Sequence, residues 1–385
     1  MKIGLPKEIK NNENRVGLTP QAVKSLTKTG SKVFVQKGAG IGSGFADKEY
    51  IKAGAKIVNT AAEAWNQEMV VKVKEPLDSE YKFFKPGLLL FTYLHLADNL
   101  PLTKALLNKK VTGVAYETMR ENGALPLLAP MSRVAGRRSA IIAATFMQSH
   151  HGGIGLLIGG VDDNNPKNPG TEKGLILVVG GGVAGYNAAT TAMGLGANVV
   201  ILERNPERVK QLKQDSKLNT LSKVFKNKLV ADISTPANIN KWIAQADALV
   251  STVLIPGAKA PKVITTAMVK KMKPGSIIID IAIDQGGSVE TITHSTTHDK
   301  PTYKVHNVNH YAVANMPGAT SRTATVALVN ATTIFAVELA QKGIKGASKC
   351  PVINSGINTY NGKLTNKPVA EALHISYTPI DSLLK

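Results

Sequence analysis

Apolar positions in this chain fall into short runs separated by helical patterns. Lys2–Leu5 reads as a short strand, and Lys32–Gln36 alternates as another. Between them, Thr19-Pro20 sets an N-cap before a proline at the first helical position, and Gly30 stops that helix. Met69–Val73, Leu88–Leu94 and Val111–Tyr116 are near-continuous apolar runs, the mark of strands buried on both faces. Ser132 opens a helix through Arg137, Ala143 and Met147 that closes at His150-His151-Gly152-Gly153. A Gly/Asn/Pro-rich loop from Gly159 to Gly174 follows.

A second series then begins. Strand Leu175–Val179 leads into a Gly/Ala-rich helix, Val183–Gly196, and strand Asn198–Glu203. Lys228–Ala231, Ala248–Val253, Ser276–Ile283 and Tyr303–Val308 are further strand candidates, with helical patterns around Trp242 and Met268. A long helix from Arg322 to Lys342 comes next, and patterning past Gly343 is weak. Strand and helix alternate twice over, which predicts the α/β class: two Rossmann-like doubly wound domains with mostly parallel sheets. A length of 385 residues suits two domains.

Composition changes this picture little. The lone cysteine, Cys350, rules out an internal disulfide and reads as a small buried residue. The first fifteen residues have no secretory apolar region, and apolar stretches such as Gly87–Leu94 are too short to cross a bilayer, so a cytoplasmic protein without a membrane segment is expected. The net charge of +20 admits nucleic-acid or anionic-membrane binding. However, the lysines are scattered, and neither a zinc finger nor an aromatic RNA-binding signature occurs, so no specific nucleic-acid partner is expected. The basic surface should instead attract anionic substrates and dinucleotides. The histidines are dispersed, and no metal site is expected.

The sharpest motif is Gly180-Gly181-Gly182-Val183-Ala184-Gly185, a G-x-G-x-x-G directly after a strand and opening a helix. Gly180 permits the tight turn, Gly182 lets backbone approach a pyrophosphate, and Gly185 lets the helix pack on the sheet. Glu203 ends the second strand, where a carboxylate accepts both ribose hydroxyls. It would repel a 2′-phosphate, which favours NAD over NADP; Arg204 and Arg208 nearby work against that preference.

Gly4-Leu5-Pro6-Lys7-Glu8, Glu13-Asn14-Arg15-Val16, Val71–Pro76 (VKVKEP), Thr92–Ala97 (TYLHLA), Ala129-Pro130-Met131-Ser132, Ile255–Pro261 (IPGAKAP), Asp280–Gly287 (DIAIDQGG) and Val313–Pro317 (VANMP) resemble the alanine dehydrogenase family, whose relatives include the transhydrogenase α subunit. The likeness runs almost end to end. It implies a substrate domain from residues 1–128 and 308–385, a NAD-binding domain from 129–307 inserted within it, and a homo-hexamer. The implied reaction is the NAD-dependent interconversion of L-alanine with pyruvate and ammonia. Arg15 would bind the substrate carboxylate, and Lys74 would sit beside the carbonyl and carboxylate. Strand alternation places Lys72 and Lys74 on one face. His95, at the end of a buried strand, and Asp284, past strand SIIIDIAI, would move protons. Asp280, inside that strand, suits a structural role. Ser132, Asn315 and Met316 match residues lining the nicotinamide and pyrophosphate region, and Val253, Leu254 and Ile281 should pack near the cofactor. Departures from the family are Arg133 where relatives usually carry an acid, Glu203 for the commoner aspartate, and Ser321 for a usual proline. Two alternatives stay open: a related amino-acid dehydrogenase or transhydrogenase α-type protein, and a non-enzymatic NAD- or nucleic-acid-binding protein.

Overall fold

The structure is a computed structural model describing residues 1–162, 167–168, 170–253 and 260–384. These divide into two compact units, one from Met1–Met131 and Gly318–Lys385, the other from Ser132–Ile255 and Lys259–Pro317.

The first unit begins with six strands: β1 (Lys2–Leu5), β2 (Lys32–Gln36), β3 (Lys56–Val58), β4 (Met69–Val71), β5 (Leu89–Thr92) and β6 (Thr112–Ala115). The second holds β7 (Leu175–Val179), β8 (Asn198–Glu203), β9 (Leu229–Ile233), β10 (Ala248–Ser251), β11 (Ile277–Asp280), β12 (Thr302–Val305) and β13 (Val308–Tyr311). The return to the first unit adds β14 (Ile357–Tyr360) and β15 (Lys363–Leu364). The sheet orders are β15-β14-β6-β5-β4-β1-β2-β3 and β12-β13-β11-β10-β7-β8-β9. All pairs are parallel except those of β14 and the β12–β13 hairpin. In each sheet the strand order reverses once, between β1 and β4 in the first and between β7 and β10 in the second. That reversal opens a crevice at the strands' carboxyl ends, where such sheets bind ligands.

Local chemistry explains the elements. Strands β4, β5, β6 and β10 are buried along their whole length, which is why they carry no alternation. Thr19 caps the Pro20–Lys28 helix by accepting from the Ala22 N–H, and Gly30 follows at φ +82°. Thr60 and Glu63 form a reciprocal capping box on Ala61–Trp65. Trp65, Leu88, Leu90, Leu94, Leu102 and Leu106 form a core of the first unit. The second sheet has cores on both faces, built around Ile176, Val178 and Ala188 on one and Leu177, Val179 and Ile239 on the other.

Several expectations need correction. The run Tyr303–Val308 is not one strand: His306 and Asn307 both take positive φ (51° and 60°) and turn the chain into the β12–β13 hairpin. Strand β13 pairs with β11, so the chain returns to the first unit at Gly318 rather than at residue 308. The helix containing Ser132 starts at Ala129, three residues early, because Pro130 is tolerated in a first turn. Cys350 is half-buried and precedes Pro351–Gly356, a helix in the weakly patterned tail. The expectation that every apolar stretch is too short to span a bilayer also fails. By length and composition the Met316–Ala347 segment is apolar enough to do so. Its abundant alanines and threonines hide it from a search for large-residue runs. The helix Ser321–Ala347 packs against Pro20–Lys28, burying Ala324, Leu328, Val329 and Leu339, and Gly343 breaks its geometry at φ 61°, ψ 177°.

Candidate active site

In the first unit, the loops after β1, β4 and β5, three adjacent parallel strands, carry Arg15, Lys74 and His95 respectively. Arg15 is only 2% exposed. Glu13 holds it from two sides, with Arg15 Nε donating to Oε1 at 2.7 Å and Nη2 donating to Oε2 at 2.5 Å, while Nη1 lies 3.0 Å from the Met131 sulfur. Burial disfavours the charged guanidinium, but Glu13 outweighs it and keeps Arg15 charged. A carboxylate-fixed guanidinium keeps its planar fork in one orientation, which suits recognition of a second carboxylate.

Lys74 is buried, and its backbone carbonyl accepts from the Thr92 hydroxyl at 3.1 Å. Its ammonium makes no hydrogen bond or ion pair among the described residues. The alternation placing Lys72 beside it fails, because β4 ends at Val71. Lys72 instead bridges Glu8 and Glu80, each at 3.0 Å, with all three side chains buried. Burial opposes its charge, and the two carboxylates more than restore it.

His95 sits in the left-handed region (φ 48°, ψ 42°). The Glu117 carboxylate supports that turn by accepting the His95 N–H at 2.7 Å and the Leu94 N–H at 3.2 Å. The Tyr93 ring stacks on the imidazole at 5.7 Å, and the Tyr93 hydroxyl donates to the Leu127 carbonyl. Glu75 lies beside this set. Its Oε1 accepts from Lys10 Nζ at 2.5 Å, and its buried Oε2 has no hydrogen-bond partner among the described residues. Burial alone would raise its carboxyl, but Lys74, His95 and Lys10 bring it down to about 2.

In the second unit the glycine turn follows β7. Gly180 takes φ +103°, and a Cβ there would meet the Thr252 hydroxyl at 2.5 Å. A Cβ on Gly185 would meet the Gly180 carbonyl oxygen at 1.8 Å, so both positions exclude side chains. Around Gly182, by contrast, a Cβ would meet nothing within 4 Å among the described residues, which leaves open space there beside the start of the Val183–Gly194 helix. Unpaired N–H groups at a helix start suit a phosphate, so the turn fits the dinucleotide that the motif implies. Val183 and Ala184 form the first turn of that helix. Glu203, at the end of β8, accepts from the Gly181 N–H at 2.7 Å and from the Asn205 N–H at 2.9 Å, which ties the strand end to the glycine turn.

Asp284 and Asn315 are 31 residues apart, and the fold brings them together. The exposed Asp284 carboxylate accepts the Asn315 N–H at 3.1 Å, with Asn315 in the left-handed region at φ 62°. Asp280 is buried and accepts from Ala282 and Ser288 at 2.9 and 2.6 Å, the structural role expected of it. Met316 is buried, and its carbonyl accepts from Arg138. Ser132 is half-buried on its helix. Val253 and Ile281 pack against the cores on opposite faces of the sheet. Leu254 lies outside the described residues, as does the Ile255–Lys259 part of the IPGAKAP stretch. The supporting acids Glu13, Glu75 and Glu117 escaped assignment from sequence. Glu13 stands two residues from Arg15, a usable signal; nothing local marks Glu117, whose partners lie 22 and 23 residues away.

Comparison with known proteins adds an independent line. Residues 4–135 match the family described as alanine dehydrogenase/PNT, N-terminal domain, and residues 139–367 match its C-terminal domain. The chain is 53% identical over 387 aligned residues to alanine dehydrogenase of Staphylococcus saprophyticus, and 52% identical to alanine dehydrogenase 2 of Staphylococcus aureus; both alignments cover 100% of each chain. Among solved structures, an L-alanine dehydrogenase aligns with a TM-score of 0.87 at 44% identity, covering 97% of this chain and 99% of that one. A transhydrogenase from Sinorhizobium meliloti aligns with a TM-score of 0.77 at 25% identity, covering 95% and 99%.

Proposed function

The chain belongs to the alanine dehydrogenase/PNT family, and from that premise we propose that it is an NAD-dependent enzyme oxidising L-alanine to pyruvate and ammonia, reversibly. One observation carries the reading: Arg15 and Lys74, two buried cations on the loops after the neighbouring strands β1 and β4, stand in a chain that aligns end to end with alanine dehydrogenases.

Arg15, locked by Glu13, holds the substrate carboxylate, and Lys74 adds a second positive charge there. Fixing the carboxylate orients the Cα–H bond, and orientation supplies much of the rate in such reactions. Lys74 also stabilises the negative charge that develops on the carbonyl oxygen in the reverse direction. Gly182, Val183 and Ala184 would present backbone to the pyrophosphate, Glu203 would accept the ribose hydroxyls, and Ser132, Val253, Ile281, Asn315 and Met316 would line the rest of the cofactor. Bound NAD supplies the hydride acceptor. His95 and Asp284 move the protons as water adds to the imine and ammonia leaves. The acid Glu203 favours NAD over NADP. A cytoplasmic homo-hexamer completes the reading, supported by the family alone; light scattering of the purified protein tests the assembly.

Absorbance of NADH on mixing the protein with NAD and L-alanine at alkaline pH, and then with pyruvate, ammonium and NADH, tests the reaction. Turnover in both directions, with serine and glycine slower, is expected. No turnover despite NADH binding would overturn the assigned chemistry while leaving the cofactor site.

A further inference from the structure

The second unit contains a cavity of about 540 Å³ beside the glycine turn, lined by Gly182, Val183, Arg133, Arg137, Arg208 and Lys217. Four cations thus surround the start of the Val183–Gly194 helix, whose unpaired N–H groups already favour an anion. Two of the four are committed. Arg137 Nε donates to Asn187 Oδ1 at 3.1 Å. Arg208 lies over the Tyr186 ring at 5.7 Å and donates to the Gly181 carbonyl at 3.0 Å. Arg133 and Lys217 make no hydrogen bond or ion pair among the described residues. Arg133 stands one turn before Arg137 on the same helix, so both project toward the same side.

We propose that Arg133 is a phosphate-binding residue of this site, adding a guanidinium contact to the cofactor diphosphate beside the glycine turn. The inference rests on the dinucleotide reading of the glycine turn. Backbone N–H groups alone hold a diphosphate without a mobile charge. A guanidinium at the cavity wall adds charge-assisted hydrogen bonds and makes affinity depend on ionic strength. The site is then tuned to bind phosphate groups in their own right, so inorganic pyrophosphate competes with the dinucleotide.

The test is fluorescence titration of NADH into the full-length protein. Arg133→Ala is expected to weaken binding roughly tenfold, the loss of one charge-assisted contact. Arg133→Glu should weaken it further, Arg133→Lys should restore part of it, and the salt dependence of affinity should flatten in Arg133→Ala. Lys28→Ala, on a helix of the other unit, controls for net charge and should change nothing. In parallel, inorganic pyrophosphate should raise the melting temperature of the wild type and not that of Arg133→Glu. Wild-type NADH affinity in both Arg133→Ala and Arg133→Glu would overturn the proposal. A wild type that binds no NADH would instead overturn the cofactor reading. In that case a pyrophosphate shift lost in Arg133→Glu would still uphold Arg133 as a phosphate ligand, and absence of the shift would overturn that too.

Discussion

The two crevices in this molecule are built from opposite materials. In the first unit, the loops after β1, β4 and β5 are filled with buried charge: Glu13 on Arg15, Glu8 and Glu80 on Lys72, and Glu75 near Lys74 and His95. In the second, the loop after β7 is almost all backbone, shaped by glycines at 180 and 185 that leave no room for a Cβ. Side chains that must stay charged inside a protein need partners, and each partner becomes a liability when removed. Backbone geometry needs only the absence of a side chain. The fold of the first crevice should therefore fail through electrostatics and that of the glycine turn through sterics.

That contrast can be broken most severely at Lys72. Lys72→Ala leaves Glu8 and Glu80 buried without their cation and should cost about 3–5 kcal/mol of stability in urea unfolding. A loss under about 1 kcal/mol would mean the two acids are relieved some other way. Lys74→Ala should instead leave folding intact, lower kcat on alanine by about 10²–10³ fold, and preserve NADH binding; near-wild-type kinetics would remove Lys74 from the mechanism.

Glu75 sharpens the electrostatic side through pH. Its folded pKa is depressed from 4.5 to about 2. The stability it contributes is therefore fully present above pH 4.5 and lost as pH falls through 2, a change on the order of 3 kcal/mol. Unfolding of wild type and Glu75→Gln should differ most above pH 4.5 and converge toward pH 2. A difference independent of pH would show that the charge is not what Glu75 contributes.

The glycines test the steric side, with the smallest expected effects. Gly185→Ala, with its Cβ 1.8 Å from the Gly180 oxygen, should cost about 1–3 kcal/mol. Gly182→Ala, facing open space, should leave stability within about 0.5 kcal/mol while weakening NADH binding. Equal stability losses at both would show that shape at this turn does not separate packing from ligand approach.

Local patterns determined much of this protein. Strands β1, β2, β7 and β8 were readable to the residue, β2 from its alternation and the others because a buried parallel strand is a short apolar run with turn residues at its ends. The glycine turn and its terminal acid were readable because each glycine answers a backbone requirement met within about 25 residues of chain. The roles proposed for Arg15, Lys74, His95 and Asp284 rest on family resemblance, since one cation or carboxylate in a loop looks like any other. Tertiary structure decided the rest. The ion triad of Lys72 joins residues 64 and 8 positions away from it. The Glu117 grip on His95 and the Asp284–Asn315 contact depend on which strands become neighbours. Pairing of β13 with β11 set the chain's return at Gly318. Charges and hydrogen bonds act over a few ångströms of space, and a linear pattern reports spacing along the chain. Only where those two distances coincide, as in a strand, a cap or the glycine turn, does sequence alone suffice.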